Sequence, residues 1–322
     1  MYIRTNGAGQ SLVCIIVNGK KLPHEAELVS LLRQAVPDAV GVVLGVNAQP
    51  TGAVLGREYR TLWGENVLTD HLCGLTFRLS VPSFFQVNRP MAEVLYETAL
   101  DFAGLTGREL VLDLYCGAGT ISQVMARRAA RVIGAEIVPE AIADARENAR
   151  RYGVTGIDFR LCDGLSAIRA EECDAVVIAG MGGENIAAIL AAAPWTADGR
   201  HTLVLQPQSR PEVLRRFLME HGYAITREAL VEDRGHLYPV LEAGAGEMKL
   251  TPGQLHCGVK LLRDPLWDRY LIDKIIQLQN VVVGCRRSAD PADRARAEEQ
   301  RDLITELLAM REEWRHANGT RN

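Results

Sequence analysis

The sequence predicts an α/β protein built on a mainly parallel sheet, with a small α+β lobe before it and a helical hairpin after it. Three observations lead there. From Glu109 to about residue 206, short apolar runs alternate with segments of helical spacing, the rhythm of strand–helix–strand units. The first run, Leu110-Val111-Leu112-Asp113-Leu114, leads into Tyr115-Cys116-Gly117-Ala118-Gly119-Thr120, a Gly-x-Gly turn that opens a helical pattern. Such a turn makes the ligand crevice of an open α/β sheet. Beyond residue 252 the alternation gives way to apolar residues at three- and four-residue steps, which predicts packed helices.

Residues 1–88 form the lobe. Ser11–Val17 and Val40–Val46 are β-branched runs, and Glu25–Val36 has helical spacing that stops at Pro37. Gly52–Trp63 and Leu72–Val81 read as further strands, separated by Gly64-Glu65-Asn66. Residues 89–246 form the main domain. Met91–Ala103 is a helix with Pro90 at its first turn. Strands fall at about 110–115, 131–136, 157–162, 174–179 and 202–206, and helices at about 119–129, 138–152, 183–192 and 210–221. Tyr223–Val231 and Leu237–Leu241 then follow with no helix between them, joined around Asp233-Arg234-Gly235. Five parallel strands closing with a hairpin describe the class I S-adenosylmethionine-dependent methyltransferase (Rossmann-like) sheet. Residues 247–322 carry the helical hairpin. Leu266, Tyr270, Leu271, Ile275, Leu278 and Val282 line one helix, and Leu303, Ile304, Leu307, Leu308 and Met310 the other, around Arg286-Arg287.

The formal net charge of −4 over 322 residues gives no global attraction to nucleic acid, so RNA must be held by local patches. The seven cysteines are scattered and form no Cys-x-x-Cys pair. This argues against a disulfide framework and against a metal site, and fits a reducing cytoplasm. Leu12–Val17 is too short to span a bilayer.

The crevice suits either a nicotinamide dinucleotide or S-adenosylmethionine. Glu136 ends the second strand, where an acid can accept the ribose hydroxyls of either. Three features favour S-adenosylmethionine. The loop continues Gly119-Thr120-Ile121-Ser122 and lacks the third glycine that packs a helix against a pyrophosphate. Asp163 ends the third strand with a carboxylate able to take the adenine amino group. The closing hairpin fits a methyltransferase better than a dehydrogenase. The expected cofactor residues are Gln86, Asp113, Tyr115, Gly117, Gly119, Thr120, Glu136 and Asp163, the glycines serving close approach of ligand to backbone.

Two family resemblances meet in the chain. Residues 2–152 resemble the RNA uracil-5 methyltransferases, through Ile3-Arg4-Thr5-Asn6, Ser83-Phe84-Phe85-Gln86-Val87-Asn88, the Asp113–Thr120 loop and Gly134-Ala135-Glu136. The resemblance implies that Gln86, Tyr115 and Glu136 contact S-adenosylmethionine. That family's Asp-Pro-Pro-Arg segment and its Ser-Cys-Asn nucleophile segment do not follow, and its N-terminal barrel and iron–sulfur cysteines do not precede. Uracil C5 needs a thiolate at C6 before it can attack. Cys116, Cys162 and Cys173 instead read as small core residues.

From about Ile157 the chain resembles the bacterial tRNA adenine-22 N1-methyltransferases. The carriers are Asp158–Leu165, Asp174-Ala175-Val176-Val177-Ile178-Ala179-Gly180-Met181-Gly182-Gly183, Leu203-Val204-Leu205-Gln206-Pro207, Arg234–Val240 and the closing hairpin. The chain thus reads as chimera-like, joined near Arg151–Gly156, between a helix and a strand of a sheet both families share.

Adenine N1 carries an in-plane lone pair and can take a methyl group directly, in line, so positioning and desolvation supply most of the barrier reduction. The expected catalytic residues are Gly182, Gly183 and Glu184 after the fourth strand and Gln206 and Pro207 ending the fifth. The glycines admit the base to backbone, and Glu184 stabilises the cationic product or orients the amino group. RNA, with tRNA favoured over rRNA, is the expected partner. Arg127, Arg128, Arg131, Arg146, Arg150, Arg151, Arg286 and Arg287 are candidate phosphate contacts, and Phe84 and Phe85 candidate base-stacking residues. A uracil-5 enzyme and a cofactor- or RNA-binding protein without turnover are the alternatives.

Overall fold

The computed structural model describes residues 1–19, 21–48, 54–56, 58–83, 85, 88–286 and 290–319. The lobe opens with β1 (Tyr2–Thr5), β2 (Ser11–Val17), α1 (Glu25–Ala35), β3 (Ala39–Val46) and β4 (Glu58–Gly64), which form one sheet in the order β1-β2-β3-β4. A separate hairpin follows, β5 (Val67–Leu72) and β6 (Leu75–Ser80). Sequence reasoning missed β5 because its buried register reads Leu68, Asp70, Leu72. Asp70 is tolerated there because Arg89 pairs with it at 2.7 Å and the amides of Gly7 and His71 donate to it.

Helix α2 (Arg89–Phe102) leads into the large sheet. Its strands are β7 (Leu110–Leu114), β8 (Arg131–Glu136), β9 (Ile157–Leu161), β10 (Ala175–Gly182), β11 (Thr202–Ser209), β12 (Tyr223–Asp233) and β13 (His236–Ala245). Their order is β12-β13-β11-β10-β7-β8-β9, with β13 antiparallel to both neighbours and β7 to β11 parallel. The order reverses at β7, so the crevice lies beyond the carboxyl ends of β7 and β10. The connecting helices are α3 (Thr120–Met125), α4 (Pro139–Arg151), α5 (Gly183–Ala191) and α6 (Pro211–Glu220).

Strand alternation sends Val111, Val132, Val177 and Val204 to a core shared with α2 and the β5–β6 hairpin, and Leu112, Ile133, Ile178 and Leu205 to a core under α5 and α6. Both faces are covered, hence the continuous apolar runs in sequence. Strands β10 and β11 run longer than their apolar cores. Pairing continues through Ala179 with Gln206, Met181 with Pro207 and Gly182 with Ser209, with register shifts between them. This ribbon runs past the end of β7, which pairs with β10 only as far as Ile178 with Leu114. Pro239 is accommodated inside β13 because β13 pairs with β11 only at Leu241–Ala243.

The closing segment has α7 (Pro252–Cys257), α8 (Trp267–Arg286) and α9 (Pro291–Ala317). Helix α7 is announced by a capping box, Thr251 with Gln254, that the sequence reading passed over. The hairpin is bolted to the sheet by a buried ion pair. Arg215 of α6 donates from Nε to Glu228 of β12 at 2.8 Å, and both side chains are fully buried. The Arg215 Nη1 also donates to the carbonyls of Leu255 and His256, while Glu228 accepts from the amides of Val259 and Lys260.

The segments carrying the two resemblances form one body. Across the expected join, Phe159 of β9 packs on Ile142, Ala145 and Ala149 of α4. Asn148 of α4 is buried and bonds both the amide and the carbonyl of Arg78 in β6. Helix α2 is tied to β12 at both ends. Asn88 donates to Asp233 at 2.6 Å, and Arg227 bonds the Asp101 carboxylate and the carbonyls of Asp101 and Phe102. Among the described residues no helix is long and apolar enough to cross a membrane.

Candidate active site

The turn after β7 is built from left-handed backbone. Tyr115, Gly117 and Gly119 have φ of 56°, 57° and 74°. For a bulky residue such as Tyr115 that conformation is strained, of order 1–3 kcal/mol, and is kept only where surroundings over-determine it. Here the Tyr115 hydroxyl donates to Asp163 at 3.0 Å, so a residue after β7 meets one after β9. Burial and Asp163 together push the Tyr115 phenol up to about 12, which keeps it a donor. Two of the expected cofactor residues are thereby joined at the crevice.

The others serve the loop itself. Glu136, almost wholly buried, accepts from the Gly117 amide through one oxygen and from the Ile137 and Val138 amides through the other. The oxygen facing Gly117 retains acceptor capacity for a ligand hydroxyl. Asp113 is buried and takes a 2.5 Å bond from Ser122 at the start of α3. Burial, opposed by that bond and reinforced by Glu136, pushes its carboxyl up to about 7. Thr120 is buried and shares a 2.9 Å hydroxyl bond with Tyr96 of α2. Gly119 was expected to admit a ligand. A Cβ there would lie 2.8 Å from the Phe159 ring and 3.0 Å from the Ala145 Cβ on left-handed backbone, so packing and conformation both call for glycine. Gln86 and Phe84 lie outside the described residues.

Ile137, Val138 and Leu161 are 50%, 44% and 52% exposed. These apolar side chains stand at the ends of β8 and β9, the strands whose ends carry Glu136 and Asp163. Sequence reasoning named the acids but passed over these neighbours. Their signal was an apolar residue within two positions of an acid at a strand end.

In the extended end of β10, Gly180 adopts φ 79° and donates its amide to Gln206 at 2.9 Å. Gln206 is buried, and Gln208 donates to the same oxygen. It therefore fixes the shape of the ribbon that was expected to meet the acceptor. At Gly183 a Cβ would collide with the Arg210 carbonyl, and at Gly182 it would touch the Ser209 hydroxyl at 3.2 Å. These glycines let β10 and the turn after β11 approach each other. Glu184 is exposed and ion-paired with Arg210 at 2.5 Å. Pro207 and Gln208 border a cleft of about 630 Å³ that reaches α8.

The candidate RNA arginines are mostly engaged within the fold. Arg131 pairs with Asp158, Arg150 and Arg151 pair with Glu147, Arg146 donates to the Phe159 carbonyl and Arg127 to that of Cys73. Phe85 is buried against Phe77, with centroids 5.8 Å apart. The Arg286 side chain and Arg287 lie outside the described residues. Burial raises the thiols of Cys116 and Cys162, and pushes Cys173 up to about 12, the reverse of what a nucleophilic cysteine requires.

Comparison with known proteins gives two matches along the chain. Residues 120–306 match the tRNA (adenine(22)-N(1))-methyltransferase family, and residues 38–172 match the tRNA (uracil-5-)-methyltransferase family. The two overlap across β8, α4 and β9, the part of the sheet where the sequence placed the join. An uncharacterized RNA methyltransferase of Halalkalibacterium halodurans is 43% identical over 155 residues, covering 48% of this chain and 34% of that protein. One of Clostridium acetobutylicum is 40% identical over 151 residues, covering 47% and 33%. The chain thus spans about a third of the length of these curated relatives. The crystal structure of the B. subtilis m1A22 tRNA methyltransferase TrmK superposes with a TM-score of 0.61 at 23% identity, over 67% of this chain and 97% of that one. The Pyrococcus abyssi tRNA (uracil-54, C5)-methyltransferase, in complex with S-adenosyl-L-homocysteine, gives 0.57 at 20% identity, over 75% and 58%. These likenesses show the Rossmann-like methyltransferase fold. Because the first match runs through more than half of the chain, from the start of α3 into α9, the protein belongs to the tRNA (adenine(22)-N(1))-methyltransferase family.

Proposed function

We propose that the protein is an S-adenosylmethionine-dependent RNA methyltransferase that transfers a methyl group to N1 of an adenine in tRNA. The observation that carries this reading is the crevice. The Tyr115–Asp163 pair, the Glu136 carboxylate and the exposed Ile137, Val138 and Leu161 lie at the ends of β7, β8 and β9, beside the β10–β11 ribbon that bears the family's residues. These residues fit an adenosyl group. Asp163 offers an acceptor to the adenine amino group, Glu136 one to a ribose hydroxyl, and the apolar trio two faces for the ring. When bound, the cofactor supplies an electrophilic methyl carbon on a sulfonium sulfur. The chain's contribution is positional. Gln206 holds Gly180, and Gly182 and Gly183 let the ribbon close onto Ser209 and Arg210. The fixed ribbon then orients the base and excludes water. The seven free, mainly buried thiols agree with work in the cytoplasm.

Uracil-5 methylation is the second reading, favoured by the match over residues 38–172. It lacks a nucleophile, since no cysteine occurs from Asp174 to His256, the stretch holding β10, β11 and their turns. Incubation with labelled S-adenosylmethionine and unmodified tRNA, followed by nucleoside analysis, separates the two. The expected product is 1-methyladenosine. Formation of 5-methyluridine alone, or cofactor binding with no methylated nucleoside, overturns the proposal.

A further inference from the structure

We infer that the cleft between the end of β11 and helix α8 holds a nucleotide adjacent to the methylated one, with its phosphate on Lys274. The inference rests on the RNA-methyltransferase reading above.

The cleft has a volume of about 630 Å³, ample for a nucleotide. Its position relates it to the acceptor site. Gln208 and Tyr238 line it on one side, and line on the other a cavity of about 30 Å³ bounded by Asn88, Met91 and Gln206. That smaller space is the size of a single water and touches Gln206, which holds Gly180 at the methyl-transfer ribbon. Pro207 and Gln208 of the ribbon also line the larger cleft directly, so the cleft adjoins the ribbon, the relation expected of successive nucleotides in one strand.

Charge points to a phosphate. Arg210, at the cleft's edge, is already paired with Glu184 and Glu212. Lys274 is partly buried in the wall and makes no ion pair among the described residues. In a chain of net charge −4, an unspent cation inside a cavity is where a backbone phosphate gains most. Ile276, 50% exposed on the same helix, offers an apolar surface to a base. Asp273 beside it offers an acceptor to an exocyclic amino group. Splayed single-stranded nucleotides are read through such contacts.

The test measures binding of an unmodified tRNA transcript by fluorescence anisotropy across salt concentrations. Lys274→Ala lowers the log–log salt slope by about 0.7 to 0.9, one phosphate's worth, and Lys274→Arg restores it. Ile276→Asp weakens tRNA binding by about tenfold. Calorimetry finds S-adenosylmethionine binding unchanged in all three, which also reports that they fold. If the parent protein forms 1-methyladenosine yet Lys274→Ala keeps the full slope, the cleft inference fails alone. A parent protein that binds tRNA but forms no 1-methyladenosine overturns the functional reading, and the slope still decides the cleft. Absence of tRNA binding overturns both.

Discussion

Replacing Arg215 with methionine tests how the hairpin is fixed to the large sheet. The guanidinium is fully buried and makes three hydrogen bonds, to Glu228 at 2.8 Å and to the carbonyls of Leu255 and His256 at 3.0 and 3.3 Å. Its removal leaves a buried carboxylate facing only the amides of Val259 and Lys260. Breaking such a pair from one side costs about 3–5 kcal/mol. The informative variant is the double replacement, Arg215→Met with Glu228→Leu. Where a buried pair bonds only itself, an apolar swap is often neutral. Here it strands four backbone groups, the carbonyls of Leu255 and His256 and the amides of Val259 and Lys260. Unpaired buried groups cost about 1–3 kcal/mol each before relaxation. The double variant therefore stays at least about 2 kcal/mol less stable than the parent. Urea denaturation with global fitting of the m-value measures both. A double variant as stable as the parent would refute the view that the pair organises the α7–α8 connection, and a single variant within 1 kcal/mol would refute its energetic role.

Three further outcomes are expected. Gly119→Ala places a methyl 2.8 Å from Phe159 on backbone at φ 74°, costing about 2–4 kcal/mol by strain and overpacking together; adding Phe159→Leu recovers the overpacking part, and a thermal melt of the pair shows whether it does. Asp113 has its carboxyl raised in the fold to about 7, so the unfolded chain ionises first, and stability falls as pH rises from about 4 to about 7. The full loss is about 4 kcal/mol; Asp113→Asn flattens that window, and an equal fall in parent and variant on urea titration at pH 4.5 and 8 would contradict the assignment. Tyr115→Phe removes the bond that fixes Asp163, weakening S-adenosylmethionine binding by about 3- to 10-fold, as expected for a bond worth about 1 kcal/mol; calorimetry giving unchanged affinity would remove this pair from the cofactor site.

The alternation of apolar runs and helical spacing is local information, and it was enough to read the seven strands of the large sheet, the reversal into a closing hairpin and the terminal helices. The acids at the ends of β7, β8 and β9 and the Gly-x-Gly turn were legible for the same reason, since strand ends position them without reference to the rest of the chain. What these groups do was decided by partners far along the sequence. Phe159 arrives over Gly119 and the Arg210 backbone over Gly183, while Asp113 bonds Ser122 of α3 and Tyr115 bonds Asp163. Strand β5 was hidden because its buried Asp70 is neutralised by Arg89 from α2, and no periodicity announces that pairing. The two family spellings likewise remained a juxtaposition in sequence. They become one protein through Asn88 with Asp233, Arg227 with Asp101, and Phe159 on α4, contacts that exist only when the sheet has closed. Hydrophobic period fixes which elements form, because each element buries its own stripe. The partner of a buried polar group depends on which distant segment the closed sheet brings against it, and only the tertiary structure holds that information.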